Sequence, residues 1–295
     1  MPYAAAPDRG LTAVAAKPKW MRQKTPATVL CPDGCADQPG IALPRSNARD
    51  ELARLLWTRS GGRRLPSTRA LDTALAQLPR GELHDLCELD PRGPLYLLPT
   101  REFVRRLAAS IRALGSRRIL EVAAGDGFLA GALRRAAPEL TVVASDSGAW
   151  ADPRARMNAR ERRQLRGVDV PGVRLSGSVL RLDALEAIRR TRPDLVLASW
   201  LPPGALLDRL IRAPVRHVLE IGAKDGVTPG AWSWRFAHEL CDELEQHARC
   251  RLDERPGREL HSRVTLYYGA RHPWHARERV RPGDWLWQFR PPSGD

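Results

Sequence analysis

Lysine is nearly missing from this 295-residue chain, although basic residues are abundant. Only four of the 48 basic residues are lysine, and the formal net charge at pH 7 is +14. A basic balance of this size suits acidic partners such as nucleic acid. Because arginine supplies almost all of it, a GC-rich coding sequence explains the same excess, and the charge is only a modest indication of RNA binding.

Long hydrophobic runs and paired cysteines are missing as well. No apolar run approaches the ~20 residues that a membrane helix needs, and the N-terminus lacks the pattern of a secretory signal. The five cysteines are widely scattered, which favours reduced thiols over a disulfide framework. Cys31 and Cys35 could form half of a zinc knuckle, but no second pair is nearby. We therefore predict a cytoplasmic protein without a metal or membrane partner.

Composition divides the chain into four predicted segments. Residues 1–46 are rich in Ala, Pro and Gly and lack apolar periodicity, which predicts a mobile tail. Short helical patterns in residues 47–98 predict a small helical cap. Residues 99–271 predict the main domain, and residues 272–295 predict a C-terminal extension in which arginine and tryptophan are interspersed.

Predicted strands and helices alternate in the main domain, which begins with a helix capped by Thr100. Strands are expected at residues 118–122, 141–145, 173–175 or 179–182, 194–199 and 217–221, and helices at residues 129–137, 184–191, 205–211 and 234–248. This alternation predicts a largely parallel α/β sheet covered on both faces. Residues 250–253 and 263–268 predict two final strands with no helix between them, and such a pair is antiparallel.

The glycine-rich sequence ILEVAAGDG follows the pattern Glu121-x-Ala123-x-Gly125-x-Gly127. It lies where the first strand ends, and a parallel sheet binds its ligand at that edge. Glycine lets the backbone approach a ligand closely, and the next helix presents free N–H groups. A near copy, EIGAKDG at residues 220–226, has too little chain after it to complete a sheet, so we predict the fifth strand and its loop there.

Asp146 follows the second predicted strand, 19 residues after Gly127. A carboxylate at this place can accept hydrogen bonds from both hydroxyls of a ribose diol. A nicotinamide-binding domain is the competing interpretation, but it prefers a G-x-G-x-x-G loop. The loop after the first strand does not complete that pattern, and the glutamate at the strand end argues further against a nicotinamide-binding domain.

Together these motifs resemble those of the class I S-adenosylmethionine-dependent methyltransferases over residues 99–271. The resemblance implies a doubly wound, mostly parallel seven-stranded sheet with a C-terminal antiparallel hairpin, and S-adenosyl-L-methionine as the cofactor. It also implies a set of cofactor-binding residues at the ends of the first four strands: Glu121, Ala123, Gly125, Asp126, Gly127, Asp146, Asp183, Ala184 and Ser199.

Candidates for the chemistry follow the fourth and fifth strands. A general base assists methyl transfer when the nucleophile is a hydroxyl or a protonated amine. Asp225 is our first choice for this base, and Glu220 is the alternative. Trp200 and Trp232 are candidates for the wall of a substrate pocket. We expect methyl transfer to a small molecule; RNA, protein, or a non-catalytic binding module are the alternatives, and the oligomeric state is left open.

Overall fold

The computed structural model describes residues 47–275, apart from 80, 165, 168, 203, 225, 226, 230–232 and 254–259. The helices are α1 (Asn47–Leu56), α2 (Thr68–Gln77), α3 (Glu82–Leu89), α4 (Arg101–Ala113), α5 (Phe128–Ala136), α6 (Ala159–Gln164), α7 (Ala184–Thr191), α8 (Leu206–Ile211) and α9 (Asp242–Glu245). The strands are β1 (Arg118–Val122), β2 (Thr141–Asp146), β3 (Val179–Arg181), β4 (Leu195–Ser199), β5 (His217–Ala223), β6 (His238–Leu240) and β7 (Ser262–Tyr268). The predicted tail and most of the predicted C-terminal extension lie outside the described residues. Among the helices described, none combines the length and the apolar character that a membrane crossing requires.

One seven-stranded sheet organises the domain, in the order β3-β2-β1-β4-β5-β7-β6. Strands β1 to β5 pair in parallel, whereas β7 runs antiparallel to both β5 and β6. The predicted doubly wound, mostly parallel sheet with an antiparallel C-terminal pair is therefore confirmed. Its strand order puts β1 beside β4 at the centre, so the loops after these two strands are neighbours.

Helices cover both faces of the sheet because alternate strand residues are apolar on each side. Ile119 of β1 belongs to a core cluster with Phe103 of α4 and with α5. Leu120 and Val122 of the same strand belong to a second cluster, which includes Ile188 of α7 and residues of α8. Both faces are therefore buried, and ligands have access at the edge where the strands end.

Helices α1, α2 and α3 build a third apolar cluster, and we keep the name cap for residues 47–98, which contain them. Leu52, Leu71 and Leu83 each contribute one fully buried side chain to it. The cap contacts the main domain through a two-bond ion pair, in which Arg249 Nε lies 2.7 Å from Asp72 Oδ1 and Nη2 lies 3.0 Å from Oδ2. This contact ties the cap to the segment between α9 and β7.

The helix leading into β1, α4, is stabilised at both ends. The buried hydroxyl of Thr100 accepts a hydrogen bond from the backbone N–H of Phe103, which is the N-cap role that the sequence predicts. Gly115 follows the helix with φ +67°, a conformation that glycine adopts easily at this place. The helix therefore delivers the chain to β1 in a fixed direction.

Two predictions near the C-terminal end of the sheet are wrong. Instead of one helix over residues 234–248, the chain forms strand β6, with Leu240 paired to Thr265, and then the single turn α9. Residues 250–253 form a turn rather than a strand, and Asp253 Oδ2 accepts the N–H of Cys250 across it. A helix therefore does stand between the last two strands, and the antiparallel pair is β6 with β7. Of the two alternatives for the third strand, residues 179–182 are the closer one.

Candidate functional site

The loop after β1 is shaped by residues in the left-handed backbone region. Gly125 has φ +55°, Gly127 has φ +71°, and Ala123 adopts φ +50° despite its side chain. A Cβ on Gly127 would lie 2.6 Å from Cγ2 of Val179, so the strand–helix turn leaves no room for a larger residue there. Helix α5 begins immediately after this turn and directs its first N–H groups towards the strand ends.

The side chain of Glu121 connects β1 to α5 through a hydrogen bond. Its side chain is buried, and Oε2 accepts the N–H of Ala130 at 2.8 Å. Burial raises the pKa of this carboxyl to about 8, so it is mainly protonated at neutral pH. Glu121 therefore fixes the position of the loop without adding a negative charge.

Asp146 connects the end of β2 to the glycine loop. Its Oδ2 accepts the N–H of Gly125 at 3.0 Å, and its Oδ1 accepts the N–H of Gly148 at 2.7 Å. Each carboxylate oxygen still has lone-pair capacity for a further donor. The side chain is therefore held rigidly and can receive two hydroxyl groups, one on each oxygen.

A cavity of about 810 Å³ opens at this edge of the sheet. The glycine loop, Asp146, Trp150 and the residues after β4 form one side, and the cap with the segment leading to α4 forms the other. The volume is in the range of small-molecule and cofactor sites. A ligand at the strand ends would therefore also touch the cap.

Arg63 carries the contact between the cap and the glycine loop. Its Nη1 lies 3.2 Å from Oδ2 of Asp126, while Oδ1 of the same aspartate accepts the N–H of Phe128. The guanidinium carbon lies 4.5 Å from the centre of the Phe128 ring and 5.4 Å from that of Trp57. The cap thus contributes a positive charge directly above the start of α5.

The chain turns sharply after β4, where Ser199 and Trp200 line the cavity. Trp200 has φ +55°, an uncommon conformation for a bulky residue, and its N–H donates to the carbonyl of Ile221 on β5 at 2.8 Å. Its ring lies nearly parallel to that of Tyr96, with the ring centres 6.0 Å apart. Arg251 lies against both rings, with Cζ 5.0 Å from Tyr96 and 5.3 Å from Trp200.

Most of the predicted cofactor residues come together at this cavity. Its lining includes Glu121, Ala123, Gly125, Asp126, Asp146 and Ser199, and Gly127 lies in the same loop. Asp183 does not line it: this residue is exposed, and its Oδ1 caps α7 by accepting the N–H of Leu185. Ala184 is the first residue of α7 and is buried in the core, so it does not line the cavity either.

The candidate catalytic and substrate residues lie in different places relative to the cavity. Glu220 is fully buried on the α8 face of β5, away from the lining of the cavity. Burial raises the pKa of its carboxyl to about 7, while the Arg263 charge opposes the rise. Asp225 and Trp232 lie outside the described residues, whereas Trp200 lines the cavity.

Three cavity residues carry no signal in the sequence pattern. Arg63 lies between two cap helices, Tyr96 precedes α4, and Arg251 lies in a segment that the pattern assigns to a strand. Pairing of Leu97 with Cys250 brings the last two segments together, and the N–H of Arg251 donates to the carbonyl of Tyr96 at 3.0 Å. Because these three residues are far apart in the sequence, they form no local motif from which the site could be predicted.

Comparisons with known proteins give no sequence match, and the similar solved structures share little sequence with this chain. Neither a known family nor a curated protein matches the sequence. Among solved structures, the chain is similar to the 23S rRNA methyltransferase ErmE, with 18% identity over 61% of this chain and 71% of that chain, at a TM-score of 0.32. It is also similar to the human methyltransferase 10 domain containing protein (11% identity, 61% and 89% covered, TM-score 0.34). A third is the precorrin-6y C5,15-methyltransferase of Geobacter metallireducens (11% identity, 56% and 87% covered, TM-score 0.31). The sheet order and the glycine loop are those of the class I S-adenosylmethionine-dependent methyltransferase fold, which this chain has.

Proposed function

We propose that this protein is an S-adenosylmethionine-dependent methyltransferase whose acceptor is a small molecule. One observation carries the proposal: the glycine loop, Asp146 and Ser199 line a single cavity at the carboxyl edge of the sheet. That edge is where open α/β sheets bind their ligands. The cap closes the other side of the same cavity and is the proposed source of acceptor selectivity.

The donor set fits this cofactor. Asp146 offers one free acceptor position on each oxygen for the ribose hydroxyls, and the backbone of Gly125 lies beside it at hydrogen-bond distance. Arg63 and Asp126 present a positive and a negative charge together, which suits the carboxylate and ammonium of an amino-acid group. When bound, S-adenosylmethionine supplies a methyl group activated by a positively charged sulfur.

The protein contributes mainly position and shielding from water. Alignment of two reactants accounts for a large part of the barrier reduction in such displacements, and the cap and the Trp200 turn restrict the space in which they meet. Asp225 is our proposal for a general base and Trp232 for a further pocket residue. Burial away from the cavity supports a structural role for Glu220 instead of the alternative role as base.

Calorimetric titration with S-adenosylhomocysteine tests the cofactor assignment. The wild type should bind, and Asp146→Ala should lose about 1.5–3 kcal/mol, a roughly ten- to hundredfold weakening, because a charge-assisted contact is removed. Asp183→Ala is the matched control: it also removes a carboxylate from a strand end, but this carboxylate caps α7 outside the cavity. Absence of wild-type binding would reject the methyltransferase proposal, and equal losses in both variants would reject the role of Asp146.

RNA is the second candidate acceptor because several arginines that follow Trp150 in the sequence are exposed. These arginines are Arg156, Arg162, Arg163 and Arg166. Binding through such residues would be independent of sequence and would weaken steeply with salt. A fluorescent single-stranded RNA titrated at 50 and 200 mM salt decides between the candidates, since no binding at low salt removes RNA. A protein acceptor or a non-catalytic module would instead be supported if S-adenosylhomocysteine binds but no small molecule or RNA is methylated.

A further inference from the structure

A second, smaller cavity of about 390 Å³ lies beside the large one. The two cavities share residues 173–175, which form part of the wall of each. The smaller cavity is lined further by Gly148, Ala151, Gly172 and Arg181, and we call it the arginine pocket. Its described lining contains two arginines but no carboxylate, which favours a negatively charged ligand.

Backbone contacts give the arginine pocket its shape. A Cβ on Gly172 would collide with the carbonyl oxygen of Ala151, so the two sides of the pocket can meet only because residue 172 has no side chain. The N–H of Val173 donates to the carbonyl of Trp150 at 2.9 Å and joins the same two segments. The pocket is therefore built by the backbone, and a ligand does not have to order it.

Two arginines from separate segments point their charge at this pocket without a carboxylate partner. Nη2 of Arg174 donates to the carbonyl of Pro91 at 3.0 Å. The guanidinium of Arg181 lies against Gly148, where a Cβ would be 3.2 Å from its Nε and 3.3 Å from its Nη2. Neither arginine forms an ion pair with a residue that the structure describes. Both residues are exposed, so a ligand can reach their N–H groups.

A third arginine lies on the same turn of the chain. Nε of Arg156 donates to the carbonyl of Ala149 at 3.2 Å, between two residues that line the pocket. Four acids are described on the neighbouring segments: Asp146, Asp152, Asp169 and Asp183. None of them forms an ion pair with these arginines, and three of them accept backbone N–H groups instead. The positive charge at this place is therefore not compensated by the described acids.

The arginine pocket lies on the β3 side of the proposed cofactor site. Arg181 is the last residue of β3 and is the register partner of Asp146 at the end of β2. Ser199 ends β4, which lies on the other side of β1. A ligand in the arginine pocket would therefore be held beside the ribose end of the cofactor, away from the turn after β4.

We propose that the arginine pocket binds a phosphate group. The planar fork of arginine matches the geometry of phosphate oxygens, and two guanidinium groups from separate segments can bind different oxygens of one phosphate. A phosphomonoester of a small molecule and a phosphodiester of an RNA strand present this same chemistry. The inference goes beyond the proposed function, since phosphate binding here requires neither the cofactor nor methyl transfer.

Calorimetric titration of the full-length chain with inorganic phosphate, in a phosphate-free buffer and without cofactor, tests the pocket. Arg181→Gln should weaken phosphate about tenfold, and the double variant with Arg174→Gln about hundredfold, because each removes one charge-assisted contact. Arg181→Lys keeps the charge but loses the fork, so it should weaken phosphate less than Arg181→Gln does. Arg135→Gln removes an exposed arginine from the last turn of α5; it is the matched control and should bind phosphate as the wild type does.

A short oligouridylate with hydroxyl ends separates the two sources of phosphate. If the pocket takes a phosphodiester, inorganic phosphate should displace the oligouridylate. Arg181→Gln should then also lower the slope of log affinity against log salt by about one. If it takes a phosphomonoester, oligouridylate binding should be the same in Arg181→Gln and in the wild type, while inorganic phosphate still distinguishes them.

Two results would overturn the arginine pocket. One is the absence of phosphate binding at millimolar concentration, and the other is equal phosphate affinity in the wild type and the double variant. Urea unfolding of each variant excludes a folding defect, because both arginines are exposed and the midpoints should match that of the wild type. Since no cofactor is present in these titrations, their outcome is separate from that of the methyltransferase proposal.

Discussion

Glu220 provides a sharp test of how a buried carboxyl influences this fold. The side chain is fully buried on β5, opposite Thr265 of β7. Burial raises its pKa to about 7, although the Arg263 charge opposes that rise. We predict that Glu220→Gln changes the pH dependence of stability and leaves S-adenosylhomocysteine binding intact, because Glu220 does not line the cavity.

The direction in which stability changes with pH follows from proton linkage. Above the ordinary pKa of 4.5 the carboxyl of the unfolded chain is ionised, while the folded chain keeps its proton until about pH 7. The unfolded state then binds fewer protons, so stability falls as pH rises through this window and is level above it. The rise from 4.5 to about 7 corresponds to about 3 kcal/mol of lost stability.

Urea unfolding followed by tryptophan fluorescence at pH 5, 6, 7 and 8 measures this effect. Glutamine cannot ionise, so the variant should gain stability relative to the wild type as pH rises to about 7, on top of a constant offset from burying an amide. Glu243→Gln, on the exposed side of α9, is the matched control and should show no such trend. A difference between Glu220→Gln and the wild type that stays the same at all four pH values would refute the reasoning.

Two further predictions concern the loop and the cap. Gly127→Ala should lower the unfolding free energy by about 1–3 kcal/mol more than Gly81→Ala does. The new Cβ at residue 127 would lie 2.6 Å from Val179, whereas Gly81 has φ +89° and open space around it. Urea unfolding of both variants measures the difference, and equal losses would contradict the prediction. Arg63→Gln should weaken S-adenosylhomocysteine about tenfold and leave 5′-methylthioadenosine unchanged, because the latter lacks the amino-acid group that Arg63 and Asp126 face. Calorimetric titration with the two ligands checks this second prediction, which equal weakening of both would refute.

The central part of the fold is predictable from the sequence because local rules determine it. The buried strands are mostly apolar segments, and their observed bounds differ by no more than two residues from those expected for β1, β2, β4 and β5. The glycine loop is recognisable because Gly127 must adopt a positive φ next to Val179. Thr100 is recognisable because an N-cap is a short-range hydrogen bond.

The C-terminal part of the sheet follows other rules. Residues 234–248 have a spacing that suits a helix, yet β7 needs a partner for its outer edge, and pairing with it makes residues 238–240 a strand. Tertiary pairing of this kind overrides local propensity. Asp183 is a different case: the family resemblance places it among the cofactor residues, but its Oδ1 accepts the N–H of Leu185 as the cap of α7, and it does not line the cavity.

The sequence predicts the cofactor residues better than the other lining residues, because the two groups lie in different parts of the cavity and are positioned in different ways. Cofactor residues lie on β1, β2 and their loops, so their relative positions depend on backbone geometry within one parallel sheet. Another part of the cavity is lined by Tyr96, Trp200 and Arg251. These residues come from three segments, which are joined by the Leu97–Cys250 pairing, by the hydrogen bond from the Arg251 N–H to the Tyr96 carbonyl and by the stacking of Tyr96 on Trp200. A substitution there can therefore alter the cavity without moving Asp146 or the glycine loop. It follows that Arg251→Gln should leave the S-adenosylhomocysteine affinity unchanged, which calorimetric titration of the variant beside the wild type measures.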